Sequence, residues 1–363
     1  MDKIESKISV RQFFIIFVIG VAALVIRVVP KYTAFFAEQN TWISSLVALI
    51  PMFLLIYILY AIMRKGKDKS LEESLERIFG KVGAKILMFA YLITSIIFLT
   101  FRIRYFAEKC MASIFTSVQI EFFIISLLLV VYLITRNNIQ GFARFSEFIW
   151  IPLLAFILLV LFITIPDVTI SNLYPTTIYD VDNILMGVLP ITCIFVYLPC
   201  MLFLGNHIED KQNFLKTGIK YVTIAAVIGV FITITTIGVF GSKLSQSFTQ
   251  PYFIALKNIE LFTVLERMEA LAITFWIVTD IVLIIALVYV ITELITKIFN
   301  IESRKNMITP VLFLEYILSV YIVNNIFELE DYSRGIGGII YMIFGIGIPV
   351  ITYLTGKFRK VLD

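Results

Sequence analysis

The sequence predicts an all-α integral membrane protein with ten transmembrane helices. Three observations predict it. Of the 363 residues, 60% are hydrophobic and 15% charged, against about 45–50% and about 25% in soluble domains; mean hydropathy is +0.96. The apolar residues gather into runs near the roughly 20 residues that a bilayer-spanning helix needs. The basic residues collect in alternate connections between those runs, the asymmetry that orients membrane helices. With only 17 Gly and 10 Pro, the composition excludes a disordered chain, a collagen and an ordinary soluble enzyme.

Taken in order, the runs cover 12–35, 41–63, 84–107, 121–136, 146–165, 184–205, 217–241, 268–297, 307–327 and 336–356. The first contains Pro30 yet continues through Tyr32, Thr33, Ala34, Phe35 and Phe36, which predicts a helix in two pieces. The fourth is short and can extend back to Ser117. The sixth carries Gly187, Pro190 and Pro199. Runs one and six open the two five-helix halves, 1–165 and 184–356, of a single transmembrane domain over 1–363. Interrupted helices at corresponding positions point to a transporter-like site, because broken backbone at mid-membrane offers N–H and C=O groups to a ligand. In the last run Gly335, Gly337, Gly338, Gly345 and Gly347 predict close helix packing.

Two connections carry helical patterns. Over 70–80, Leu71, Leu75, Ile78 and Phe79 share one face, Glu73 and Arg77 are spaced i,i+4, and Ser70 with Glu73 forms a capping-box pattern. This predicts an interfacial helix. A helical segment over 251–267 is expected on the opposite side, leading into Glu266, Arg267 and Glu269, which are expected to form a partner contact or gate. With the N-terminus inside, 21 of the 30 basic residues fall on the inner side. The 166–183 connection carries Asp167, Asp180 and Asp182 and no basic residue. Both termini are therefore expected in the cytoplasm.

Little else points to chemistry. Cys110, Cys193 and Cys200 are an odd, sparse set, and His207 is the one histidine. They predict neither a disulfide framework nor a metal site. There is no Walker loop and no nucleophile elbow, so neither an enzyme nor a cofactor is expected. The net charge of +4 is spread between apolar runs and forms no nucleic-acid patch. Ionisable groups within spans cost about 2.5–3.5 kcal/mol each on insertion scales, which makes them the first candidates. Arg102, Arg104 and Glu108 lie toward the outer end of run three, and Glu147 and Glu293 near inner ends; all five read as snorkelling groups, Arg104 and Glu108 being spaced to pair. Arg27, Asp280 and Glu315 lie deeper and read as gating or coupling charges, or as a structural ion pair.

Certain residues recur in a telling order. Pro30 follows run one, Trp42 and Ile43 open run two, Gly80 and Lys81 precede run three, and Arg104 with Ala107 and Glu108 end it. Arg144, Pro152, Asn172, Leu173 and Pro175 follow, then Met201 to Leu204, Ile259 to Leu261, and Glu266 to Leu271 with Trp276. In this order the chain resembles the spore germination permease family, the B subunits of nutrient germinant receptors, within the amino acid–polyamine–organocation superfamily. The resemblance implies a five-plus-five inverted repeat of the amino-acid permease type, with helices one and six discontinuous. It implies a central site for a small nutrient such as an amino acid, lined by helices one, three, six and eight. Carried onto this sequence, that site comprises Gly20, Ala23, Leu24 and Val25, then Phe98 and Thr100, then Phe195, Val196 and Tyr197, and Thr279. It also implies receptor A and C subunits as partners, and the spore inner membrane as the location.

The departures matter. The glycine-rich stretch usual before the proline of helix one is here Ala22 to Arg27. Of the Phe-x-Gly-x-Glu usual in helix six, Phe195 alone remains. Asp280 is a charge where the family tends to be apolar. A remodelled pocket is expected, with Arg27 pairing with Asp280 across it; the alternative has Arg27 turned outward and Asp280 sharing a proton with Glu315. The leading expectation is a receptor subunit, with a proton-coupled amino-acid permease and a ligand-gated channel subunit as alternatives.

Overall fold

A computed structural model describes residues 7–65, 71–113, 118–248, 250–257, 265–323 and 325–362. Among them, eight helices are long and apolar enough to cross a membrane. The main helices are α1 (Val10–Val28), α2 (Leu49–Lys65), α3 (Leu71–Ser113), α4 (Ile120–Thr135), α5 (Ile139–Thr164) and α6 (Val181–Ile194). They continue with α7 (Phe214–Ser247), α8 (Leu265–Phe299), α9 (Lys305–Tyr321), α10 (Ile336–Met342) and α11 (Ile348–Phe358). Reaching ten spans takes two further segments. One is α4, whose 16 residues reach about 24 Å, short of the roughly 30 Å hydrocarbon core. The other is α9 taken together with Ile326–Ser333, a pair bent by 102°.

Proline shapes the first helix as a bulge. After Val28 the chain makes a π-helical turn, Val29–Thr33, before resuming as Ala34–Ala37. Pro30 has no N–H to give and its ring crowds the preceding turn, so the extra residue relieves both problems. A second π-helical turn, Ile343–Gly347, joins α10 to α11. There the Phe344 carbonyl accepts a hydrogen bond from the Tyr91 hydroxyl of α3 at 2.9 Å. Beyond α6 the chain turns at Phe195 and Val196, then continues as short helices Tyr197–Met201 and Leu202–His207.

A helix over the described part of 70–80 forms the first part of α3, with Leu71, Leu75 and Ile78 buried; Ser70 lies outside the described residues. Gly80 breaks it from the span with φ 78° and ψ 168°, and Gly241 bends α7 with φ 71° and ψ 170°. This region of backbone space is open essentially to glycine alone. Glu72 pairs with Lys297 at 2.7 Å, and Arg359 donates to the Ile78 carbonyl at 2.7 Å.

The core is built on α8 and α1. Val282 through Ile291 are all buried, as are Phe13 through Ile19. Helices apolar all round belong in an interior, and α8 runs against both α1 and α3. At Gly20 the two helices pack tightly: a Cβ there would lie 3.2 Å from Leu283. Peripheral helices keep one apolar face outward, such as Phe122, Ile125, Leu129 and Leu133 on α4 and Phe148, Ile151 and Phe162 on α5, which suits lipid.

The face carrying the N-terminus is closed by a seam. The Ile8 N–H donates to the His207 carbonyl at 2.7 Å, and the Glu209 N–H donates to the Ile8 carbonyl at 3.1 Å. The Val10 N–H donates to Asp210 at 2.6 Å, and the Gln12 side chain to Glu147 at 2.8 Å. His207 meets Glu293 at 2.9 Å. Toward the opposite face, Lys31 pairs with Glu330 at 2.9 Å.

Candidate functional site

Tyr32 of the π-helical turn after α1, and Ile194 and Tyr197 on either side of the turn after α6, help to line a cavity of about 650 Å³. Small-molecule sites occupy ~300–1,000 Å³. Leu24 and Arg27 come from α1, and Phe98, Phe101, Arg102 and Tyr105 from α3. Pro190, Cys193 and Ile194 of α6 face them, with Tyr197 beyond, and Ile339, Tyr341 and Met342 of α10 complete the wall. Aromatic rings cluster in the lining. Phe98 sits 4.7 Å from Tyr341 and 5.5 Å from Tyr197, ring centre to ring centre, and Phe101 stacks on Tyr332 at 4.0 Å.

Two arginines supply the charge. The Arg27 guanidinium lies 3.5 Å over the Tyr105 ring, a cation–π contact. Arg102 Nη2 stands 3.8 Å from Asp280 Oδ1, with both residues buried. That distance is an ion pair and too long for a hydrogen bond. Arg102 Nε and Nη2 and Asp280 Oδ1 accordingly have no hydrogen-bond partner. A second, smaller cavity of about 40 Å³ is lined by Ala23, Arg27, Lys109, Trp276 and Thr279. The Lys109 ammonium lies 4.2 Å from the Trp276 ring centre.

Two further polar pairs stand behind this wall. The Thr100 hydroxyl lies 2.8 Å from Glu315 Oε2, while Glu315 Oε1 is buried without a partner. Arg104 Nε and Nη2 donate to Glu108 Oε1 at 3.0 and 2.8 Å. Arg104 Nη1 donates to the carbonyls of Ser319 and Val320 at 3.3 and 3.2 Å, satisfying the last turn of α9.

Four of the expected site residues line the large cavity: Leu24, Arg27, Phe98 and Tyr197. Ala23 and Thr279 line the small one. The others do different work. Gly20 packs on Leu283, and Val25 lies against α7 at Gly229. Phe195 meets the Phe17 ring at 5.6 Å. The backbone of Val196 packs against Gly345, and Thr100 serves Glu315. Glu266, Arg267 and Glu269 lie outside the described side chains.

Three expectations about charge are corrected. Asp280 makes its ion-pair contact with Arg102, because α8 packs along α3 as well as α1 and the α3 guanidinium reaches it, while Arg27 stays within electrostatic reach of the same carboxylate. Glu315 meets Thr100, which removes the alternative of a proton shared with Asp280. Arg102, Arg104 and Glu108 do not snorkel: they are 5%, 5% and 8% exposed, because α3 runs past them to Ser113. Arg104 does pair with Glu108 at the expected spacing. Glu147 and Glu293 do lie at the N-terminal face. The contribution of α3 was legible as Phe98, Arg102, Tyr105 and Lys109, spaced i, i+4, i+7 and i+11 on one helical face.

Comparison with known proteins places this architecture. The chain matches MhsT in its complex with L-phenylalanine with a TM-score of 0.68 at 13% identity, covering 99% of this chain and 98% of that one. It matches a substrate-bound, outward-open Na⁺-coupled sialic acid symporter with a TM-score of 0.64 at 12% identity, covering 98% of this chain and 79% of that one. These likenesses establish a transporter fold. In sequence, the chain is 20% identical over 329 residues to YfkT of Bacillus subtilis (strain 168), a protein named for spore germination, covering 90% of this chain and 89% of that protein. The model of the spore germination protein family of permeases matches residues 7–327, nearly the whole chain, and the chain belongs to that family.

Proposed function

We propose that the chain is the membrane subunit of a spore nutrient germinant receptor, binding a small nutrient in the cavity between α1, α3, α6 and α10. The observation that carries this reading is the cavity of about 650 Å³, lined in part from the two irregular segments, with clustered aromatic rings and two arginines. Its fold neighbour MhsT was solved with L-phenylalanine, which supports a ligand of amino-acid size. In the proposed arrangement both termini are cytoplasmic, the membrane is the spore inner membrane, and A and C subunits carry the signal onward.

The test is binding against accumulation. The full chain in proteoliposomes is given a panel of labelled amino acids under an imposed proton gradient. Saturable binding without accumulation is the expected result. Gradient-driven accumulation would replace the receptor by the second reading, a proton-coupled permease. The buried, half-satisfied Glu315 carboxyl beside Thr100 favours that reading, since proton carriers keep such groups inside the membrane.

A further inference from the structure

The small cavity carries positive charge that its own walls do not answer. It lies between α1, α3, α5 and α8, with Gln250, Tyr252 and Phe253 completing it, and its volume is about 40 Å³. Arg27 and Lys109 both line it, and no acidic side chain does so among the described residues. Lys109 is 5% exposed. Its ammonium faces three rings: Trp276 at 4.2 Å, Tyr105 at 5.5 Å and Phe253 at 5.6 Å from the ring centre. Among the described residues it has neither an ion pair nor a hydrogen bond. Ring faces attract a cation but bring no counter-charge.

The surroundings do not supply one either. Arg27, Arg102 and Asp280 all lie within electrostatic reach of the Lys109 ammonium. Two of the three are cations, and Asp280 already stands 3.8 Å from Arg102. Glu108 is engaged by Arg104 at 2.8 Å, and Glu330 by Lys31 at 2.9 Å. Arg27, Arg102 and Lys109 therefore share the one carboxylate of Asp280. An ammonium shut away from bulk water without a counter-charge is costly. Arg102 Nε and Nη2 are sealed in, whereas Lys109 Nζ keeps open surface, and the small cavity is what its side chain lines.

Size narrows the occupant. A cavity needs about 10–15 Å³ to admit one water, and small-molecule sites begin near ~300 Å³. At about 40 Å³ there is room for a single small ion and none for an organic body. We infer that this cavity is a halide site, taking a monatomic anion such as chloride between the Lys109 ammonium and the Arg27 guanidinium. The inference stands independently of the nutrient-binding role proposed for the large cavity. A halide requires no directed set of donors, which matches walls built from Leu153, Phe156, Ile157 and Phe275. Arg27 lines the large cavity as well, so a halide at its other side lowers the positive charge presented there.

The test reads Trp276, because bromide quenches indole fluorescence as a heavy atom and chloride does not. The full chain in phosphatidylcholine nanodiscs is titrated with bromide at constant ionic strength, gluconate making up the balance. A saturable quenching component is expected on top of the linear collisional one, and chloride reverses it where more gluconate does not. The chain has three tryptophans, and Trp276→Phe is expected to remove the saturable component. Lys109→Met keeps an unbranched stem in the same space and loses the charge. It should raise the half-saturating bromide concentration at least about tenfold, the loss of one charge-assisted contact. Arg27→Gln is the second variant, expected to act in the same direction, so that poor folding of one leaves the other to be read. Quenching that stays linear in bromide and indifferent to chloride overturns the inference. A saturable component that survives Trp276→Phe, or that is unmoved by Lys109→Met, overturns it as well.

Discussion

Arg104 is the buried group whose removal is most informative. Its fork holds Glu108 one turn away on α3, and its third nitrogen closes the carbonyl end of α9. Arg104→Ala leaves the Glu108 carboxyl 8% exposed and without that partner, and breaking such a buried pair from one side costs about 3–5 kcal/mol. Glu108→Ala costs less, about 2–3 kcal/mol, because Arg104 still has the carbonyls of Ser319 and Val320 to satisfy it. The double variant strands neither charge, so its cost should fall short of the sum by about 2 kcal/mol. The assay is unfolding by sodium dodecyl sulfate in mixed micelles, followed through the three tryptophans. Costs that add to within about 0.5 kcal/mol, the margin for independent sites, would refute the claim that the two residues act as one unit.

Other perturbations follow from the same geometry. Gly80→Ala is expected to cost about 1–3 kcal/mol through backbone strain alone, since nothing lies within 4 Å of the added Cβ; unchanged unfolding would show that the kink relaxes freely. Gly345→Ala sets a Cβ 2.9 Å from Val196 Cα and should cost about 1–3 kcal/mol by overpacking while weakening ligand binding, because the α10 side of the cavity shifts. Leu24→Trp fills cavity volume and should abolish ligand-induced stabilisation without lowering the unliganded melting temperature. Asp180, in the connection before α6, is held below its usual pKa of 3.8 by the Thr177 backbone N–H and hydroxyl. A depressed carboxyl stabilises its turn above that pH and loses the effect as pH falls through the lowered value. Exchange protection of the Thr177 amide, corrected for intrinsic rate, should drop there, and Asp180→Asn should abolish the step.

What the sequence made legible were features contained within one helix. Apolar run length located the long spans, and the i,i+4 spacing found Arg104 with Glu108. The amphipathic pattern found the helix ending at Gly80. What escaped it depends on how one helix is rotated against another. Gly20, Ala23, Leu24 and Val25 lie within six residues of one another, yet they face α8, the small cavity, the large cavity and α7 in turn. Hydropathy also ended span three too early, which made Arg102 a boundary residue instead of a wall of the cavity. Pro30 announced an irregularity in helix one, but the form it takes, an added residue in a wider turn, depends on the neighbours that accept the displaced backbone.

The seam on the N-terminal face sets a kinetic condition. It joins the entry to α1, the chain after α6 and the ends of α5 and α8 through five contacts between 2.6 and 3.1 Å. A carrier that released its cargo on that side would have to part these contacts and remake them once per molecule moved, at about 0.5–1.5 kcal/mol for each neutral hydrogen bond and more for the charged ones. Its turnover would then be slow, steeply temperature-dependent and accelerated by Asp210→Ala or Glu147→Ala. A sensor read from the opposite face leaves the seam closed throughout its working life. For such a protein these substitutions would lower stability and leave the response time untouched.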